Sequence, residues 1–326
     1  MALAARGFNV EILDLRHFSS SDLHHLMEQE MQVWSRLLAW DYRSSAEMIL
    51  RYVDSRILPG YAAVEHGRVS GYSFFVYEGS KGVIGDLFVA PNGGPAAERA
   101  IEQKLLRHVI DTLQQSPGIH RVEAQLLVHE AGRLAEPFLR QDFLRYPRLF
   151  MAQPLSGPEA VPELQISVPS DIELRRWSEQ EYQAAANVIT ESYRGHVDSQ
   201  INDQYRSVTG SLRFLNNIVR FPGCGIFDAA SSFVAVHRLT RATVGVILCS
   251  RVKDDVGHVT QVCVVPDQRG RKIGEALLAA TAAELRRRNC ALLTLTVTEA
   301  NRSAVELYKH LGYRIWRVFD AFVWEG

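Results

Sequence analysis

The sequence predicts an α+β protein of two tandem domains, and three observations carry that prediction. The chain has 326 residues, about twice the usual length of one domain. The stretch 152–170 holds Pro154, Pro158, Pro162 and Pro169, and each proline fixes φ and removes a hydrogen-bond donor. On either side of it the same order of strands and helices is read twice. The expected boundaries are therefore 1–152, a linker over 153–170, and 171–326.

In the first half, apolar and β-branched runs mark strands at 9–15, 60–65, 69–78, 82–90, 120–127 and 143–151. Helical spacing marks 20–38, 44–57, 95–115 and 130–141. The second half repeats this with strands at 171–176, 231–238, 243–252, 257–265, 291–297 and 313–324. Its helices are expected near 179–193, 203–219, 271–288 and 301–310, the third on the spacing of Ile273, Leu277, Leu278 and Leu285. Landmarks pair across the halves: GDLFVAP ends at Pro91 and TQVCVVP at Pro266, and RQDF ends at Phe143 where KHLGY ends at Tyr313. The turn Pro222-Gly223-Cys224-Gly225 is expected to lead into the strand at 231–238.

Composition narrows the function. Lys and Arg number 36 against 37 Asp and Glu, a net charge of −1 that draws the chain to neither nucleic acid nor anionic lipid. No apolar run approaches the roughly 18 residues of a membrane helix, and the segment from Met1 to Phe8 does not resemble a signal peptide. A cytoplasmic protein is expected. Cys224, Cys249, Cys263 and Cys290 form no CxxC pair and the histidines no HExxH, so no metal site is expected and the last three cysteines read as small buried hydrophobes. The five tryptophans read as core or domain-contact residues.

The chemistry is concentrated after the strand at 257–265. Pro266-Asp267-Gln268-Arg269-Gly270-Arg271-Lys272-Ile273-Gly274 runs a strand through a basic, glycine-bearing turn into a helix. Such a helix start offers unsatisfied N–H groups and a partial positive charge to an anion such as a pyrophosphate. Farther on stands Leu295-Thr296-Val297-Thr298-Glu299-Ala300-Asn301-Arg302-Ser303-Ala304-Val305-Glu306-Leu307-Tyr308, continuing to Gly312-Tyr313.

The two segments in this order resemble the GCN5-related N-acetyltransferase (GNAT) family: P-x-x-R-G-x-x-[IV]-G, then N-x-x-A-x-x-L-Y-x-x-x-G-[FY]. The resemblance implies two tandem domains of that fold, each a mixed, mostly antiparallel twisted sheet flanked by helices. It implies acetyl-CoA as acyl donor and direct transfer to a primary amine in a ternary complex. Strands four and five would part to admit the pantetheine arm, which would lie along Val262, Cys263 and Val264, with the Val264 amide polarising the thioester carbonyl. Arg269, Gly270, Arg271, Lys272, Ile273 and Gly274 would hold the pyrophosphate. Asn301 and Tyr308 would flank the thiol, Tyr308 as general acid, since a phenol stays protonated at neutral pH.

Two positions depart from the pattern. Lys272 stands where glycine is usual, and Gln261 and Thr260 stand where many members carry a carboxylate base. Neither of these takes a proton, although either is able to hold a water that would relay one. Tyr193, His196 and Asp198 lie in a long polar segment where an acceptor would enter; His196 and Asp198 read either as substrate-orienting or base residues or as helix caps. In the first half, Pro91-Asn92-Gly93-Gly94-Pro95 has no Arg or Lys, Phe138 replaces Tyr308 and Ala131 replaces Asn301. That half reads as a degenerate copy. Asp86 reads as a base or as a strand-edge carboxylate facing water. A non-catalytic acyl-CoA-binding module of the same fold is the alternative. The acceptor is expected to be a small-molecule or peptide amine, the small molecule favoured because the family has tandem members that modify small molecules, and the protein a monomer or homodimer.

Overall fold

The computed structural model describes residues 10–91, 93–163, 166–220 and 225–326. They form two compact units, the first of residues 10–38, 42–146 and 319–326, the second of Ala39–Asp41 and the described part of Pro147–Val318. The turn expected at 222–225 lies, apart from Gly225, outside the described residues, as do Cys224, the start of the strand expected at 9–15, and Met1 to Phe8.

In unit 1, β1 (Glu11–Asp14) is followed by α1 (Ser20–Leu38) and α2 (Arg43–Asp54). Then come β2 (Gly60–Glu65), β3 (Arg68–Glu78), β4 (Lys81–Val89), α3 (Pro95–Gln115), β5 (Arg121–Gln125) and α4 (Ala135–Leu139). Pro95 opens α3 at a position where its missing N–H costs nothing. One face of α3 buries Leu105, Leu106, Val109, Ile110 and Leu113 against Ile84, Leu87, Val122 and Ala124 of the sheet. The helix expected over 130–141 forms only as α4. Gly132 stands at φ 85° and Asp142 at φ 60°, left-handed positions that stop a helix on either side.

Unit 2 contains most of β6 (Leu144–Pro154), then β7 (Ile172–Arg176), α5 (Tyr182–Ser192), α6 (Asp198–Ile201) and α7 (Val208–Arg220). It continues through β8 (Ile226–Phe227), β9 (Phe233–His237), β10 (Thr243–Lys253), β11 (Val256–Val264), α8 (Ile273–Arg287), β12 (Leu292–Thr298) and α9 (Arg302–His310). The last strand, β13 (Arg314–Glu325), returns to unit 1 from residue 319 onward.

The two sheets share one plan. Unit 1 orders its strands β1-β2-β3-β4-β5-β13 and unit 2 orders them β7-β9-β10-β11-β12-β6. Within these two orders, among the described residues, β4 with β5 and β11 with β12 run parallel and the other pairs are antiparallel. The closing strands are exchanged. Residues 148–154 pair with β12, from Arg148↔Thr298 to Pro154↔Leu292, whereas 321–325 pair with β5. The strand expected to finish the first half thus completes the sheet of the second. The proline-rich stretch stays with unit 2, where Arg286 donates to the Val161 carbonyl at 2.8 Å and Leu155 N–H to Ala291 at 2.8 Å.

Trp34, Trp40 and Trp177 are buried, but Trp316 is 45% exposed, so not every tryptophan is a core residue. Cys249, Cys263 and Cys290 are free and buried. Among the described residues, no helix is long and apolar enough to cross a membrane and no cluster of His, Cys, Asp and Glu is placed to hold a metal.

His258 is buried on β11, within 2.9 Å of the Thr294 hydroxyl and against the Trp40 and Phe150 rings. Thr294 donates its own proton to the Gly257 carbonyl, so Nδ1–H of His258 is the donor between them. Burial, with the Arg148 charge nearby, depresses its pKa to about 3. The folded chain therefore keeps this ring neutral while the unfolded chain protonates it below its ordinary value. Its contribution to stability is whole above about pH 6.5 and is lost as pH falls towards the depressed value, by about 1.4 kcal/mol per pH unit. Urea unfolding of wild type and His258→Gln from pH 7 to 4 checks this: the gap between them is expected to narrow with acidification. A gap independent of pH contradicts it.

Candidate active site

The site begins with a bulge. β11 pairs with β10 from Gly245↔Val264 to Leu248↔Gln261, and then Cys249 pairs with Val259, which leaves Thr260 without an opposite residue. On its other edge, β11 runs beside β12 only as far as Val259↔Leu295. Beyond that point the parallel pair parts: Gln261–Val264 stay with β10, and Thr296–Thr298 stay with β6. Val265 N–H donates to Val244 of β10 at 2.9 Å. By the alternation of an antiparallel ladder, the N–H groups of Val262 and Val264 then face the gap.

At the mouth of the gap the chain turns through 266–272 into α8. Gly270 has φ 75° with open space around it, and Lys272 has φ 63°, ψ 13°. The first intrahelical bond runs from Ala276 N–H to Lys272 at 3.0 Å. No acceptor is found among the described residues for the N–H groups from Gly270 to Glu275, a run of donors at the positive end of the helix. The cations of this turn have separate duties. Arg269 donates to the main-chain carbonyls of Val264 (3.2 Å) and Ser192 (2.7 Å), strapping the turn to the end of α5. Arg271 forms a two-pronged ion pair with Asp171 at 2.6 and 2.9 Å, which holds that carboxyl below its ordinary range. The exposed Lys272 ammonium is left for a ligand.

Tyr308 is buried on α9, tilted against Tyr313 at 5.8 Å. Burial, and the Asp198 charge after it, raise its pKa, and its hydroxyl has no hydrogen-bond partner among the described residues. Asn301 caps α9: its Oδ1 accepts from Ala304 N–H (3.3 Å) and the Ser303 hydroxyl (3.2 Å). Its amide nitrogen is the group left for a ligand. Cys263 is raised to about 12 by burial and is a thiol at neutral pH. Gln261 is buried, and Tyr193 donates to its Oε1 at 3.4 Å.

The polar segment after α5 folds onto this wall. Tyr193 stacks on Tyr205 at 4.4 Å and meets the His196 ring edge-on at 5.3 Å. Asp198 opens α6 and accepts the Thr298 hydroxyl at the end of β12. Farther along the segment, Asn202 caps the 203–206 turn by accepting Gln204 N–H at 3.0 Å. Sequence reasoning missed Thr298, Tyr205 and Arg148; Arg148 donates to the Thr296 hydroxyl at 3.4 Å. The threonines at 294, 296 and 298, alternating through an apolar strand, were the available signal for a polar face.

With this geometry in hand, the comparisons are specific. The sequence model of the acetyltransferase (GNAT) family matches residues 202–313. This span holds the parted strands, the amide-rich turn and Tyr308. The match to this family lies in the second half of the chain, within unit 2. Mycothiol acetyltransferase of Thermobispora bispora is 29% identical over 272 residues, 78% of this chain and 85% of its own. A GCN5-related N-acetyltransferase from Sphaerobacter thermophilus matches with TM-score 0.66 at 17% identity, over 97% of this chain and 95% of that one. A tandem GNAT protein from the clavulanic acid biosynthesis pathway matches with TM-score 0.60 at 15% identity, over 97% and 98%. These two structures carry the fold: a tandem GNAT arrangement of mixed, mostly antiparallel sheets flanked by helices.

The same positions in unit 1 are filled from within. β4 leaves β5 after Ile84↔Ala124, with Gly85 as the unpaired bulge residue. There the Leu87 N–H is taken by Asp86 Oδ1 at 2.8 Å, and the Leu87 carbonyl lies 2.8 Å from His129 Nε2. Glu102 of α3 lies 3.7 Å from the other His129 nitrogen and is gripped by Arg133 at 2.8 Å. Phe138, the counterpart of Tyr308, stacks on Phe322 at 4.1 Å. Asp86 does not face water: it is buried and accepts the Tyr42 hydroxyl at 2.6 Å. Beside it Glu30, held by Tyr72 at 2.5 Å and Trp34 at 3.1 Å, is kept protonated well above the ordinary carboxyl range by burial and then by the Asp86 charge.

In GNAT terms Lys272 is the anomaly, and its left-handed backbone explains why glycine is usual there. A side chain in that conformation costs about 1 kcal/mol or more, while glycine adds freedom to the unfolded chain. Lys272→Gly is expected to leave unfolding free energy within about 1 kcal/mol of wild type. It is expected to weaken acetyl-CoA about two- to fivefold at low salt, less at high salt. Thermal melts and titrations at two salt concentrations check both halves; unchanged affinity at low salt contradicts the assignment of Lys272.

Proposed function

We propose that unit 2 transfers the acetyl group of acetyl-CoA to a primary amine on a small molecule, by direct attack in a ternary complex. One observation carries the reading: β11 and β12 part beside the Val262 and Val264 amides, and the gap opens onto the donor-rich turn at 270–275. A pyrophosphate suits those amides and Lys272, and a pantetheine arm suits the gap. The Val264 N–H is the donor for the thioester oxygen as charge gathers on it. Tyr308, kept protonated by burial, gives its proton to the departing sulfur. Gln261 and Asn301 line the reacting end, and Tyr193, His196 and Asp198 the acceptor side.

Unit 1 is read as the degenerate copy, because Phe138 stands in place of Tyr308 and the Leu87 amide and carbonyl, at the position of Val262, are already bonded to Asp86 and His129. A small acceptor is favoured by the relative named mycothiol acetyltransferase. An acyl-CoA binder without turnover is the competing reading, motivated by Gln261 in place of a strand carboxylate.

The test uses acetyl-CoA with L-cysteine ethyl ester, glucosamine, spermidine and a lysine-containing peptide, following CoA release. Turnover is expected with a small amine before the peptide. Tyr308→Phe is expected to lower kcat at least tenfold, toward the roughly 100-fold typical of general acids, with acetyl-CoA affinity unchanged. Binding without turnover of any amine replaces this reading by the binder.

A further inference from the structure

We propose that Asp198 is the base that takes the acceptor's proton, working from the wall of the gap opposite to β11. The inference rests on the reading of unit 2 as an amine acetyltransferase. β11 offers no carboxylate here, since Thr260 and Gln261 occupy the two positions. Asp198 is anchored to β12 instead. The Thr298 hydroxyl donates to its Oδ1, and Thr298 lies three residues past Leu295, the last β12 residue paired with β11.

The second carboxylate oxygen is the informative one. Oδ2 lies 3.6 Å from His196 Nδ1. That nitrogen accepts the Asp198 backbone N–H at 3.2 Å, so the neutral ring carries its proton on Nε2 and has none to give to Oδ2. Oδ2 receives no hydrogen bond from the described residues and keeps its lone pairs for an incoming N–H. The same contact excludes His196 as the base, because its one acceptor nitrogen is occupied. His196 is a positioning residue.

The neighbours leave no competitor. Asp198 is faced by His196, by Tyr193 at the end of α5, by Tyr205 from the 203–206 turn and by Tyr308 from α9. Arg148 of β6 acts on Tyr205 and Tyr308, and Cys263 of β11 lies close to all three tyrosines. The tyrosines and the thiol are raised by burial and are proton donors at neutral pH, and the guanidinium has no lone pair to offer.

The step balances as follows. The amine nitrogen bonds to the thioester carbon, becomes positive, and passes one proton to Asp198. The carbonyl re-forms as the carbon–sulfur bond breaks, and the sulfur takes the Tyr308 proton. Asp198 releases its proton to water and Tyr308 regains one. The sum is R–NH2 plus acetyl-CoA giving R–NH–CO–CH3 plus CoA–SH.

The experiment uses the full chain with acetyl-CoA and whichever of the four amines above turns over fastest. Asp198→Asn is expected to lower kcat/KM about 100- to 1,000-fold with acetyl-CoA affinity within twofold of wild type, which also reports folding. Asp198→Ala is expected to regain at least tenfold activity with added formate, a small base that a merely structural residue would not need. Thr298→Val, which keeps the carboxylate but removes its anchor, is expected to lose about three- to tenfold in kcat. Asp198→Asn within threefold of wild type, a loss seen in acetyl-CoA binding instead of turnover, or an Asp198→Ala loss that formate does not reverse, each overturns the inference. Wild-type turnover with an unimpaired Asp198→Asn sinks this inference alone; a wild type that acetylates none of the four amines sinks the functional reading with it.

Discussion

The separation of β11 from β12 is the constraint on which the rest of the site depends. A parallel pair that stayed together would consume the strand amides in its own ladder and leave nothing for a ligand. The bulge at Thr260 shifts the register of β11 against β10, and the partnership with β12 ends just before it, at Val259↔Leu295. Each strand keeps a partner on its far side, so the gap costs the sheet little. The amides freed on β11, the donor-rich turn before α8 and the Tyr308 hydroxyl all follow from where that parting occurs.

The two units show the same device with opposite outcomes. In unit 1 the parted strands are bridged by Asp86, His129, Glu102 and Arg133, groups whose polar atoms satisfy one another. In unit 2 the corresponding strand residues are Gln261 and Val262, which leave the gap open. A buried carboxyl pair, Glu30 with Asp86, now serves the closed copy, with tyrosine and tryptophan donors around it. Exchange of the closing strands means that neither sheet is complete without residues from the other end of the chain.

Much of this was legible in the sequence. Continuous β-branched runs such as TVGVILCS and the helical spacing of Ile273, Leu277 and Leu285 located the elements, because those patterns are local consequences of burial. The strand at 144–154 was legible as a strand, but nothing local says which sheet edge it joins. The duties of the cations were not legible either. Arg269 and Arg271 were read as ligands for an anion, yet one bonds to backbone carbonyls and the other to Asp171, about 100 residues away in sequence. Asp86 read as a base or as a carboxylate facing water, and its partner Tyr42, 44 residues earlier, was not legible locally. Asp198 stood in a segment without periodicity, where pattern carries no information about which wall a side chain reaches.

Calorimetric titration of the full chain with acetyl-CoA tests the central claim most directly, through its stoichiometry. One open gap and one closed gap predict one molecule bound per chain, with the heat abolished by Gly270→Asp, which sets a carboxylate and a strained backbone among the free amides of the turn. Two molecules per chain, or one that survives Gly270→Asp, would contradict the account.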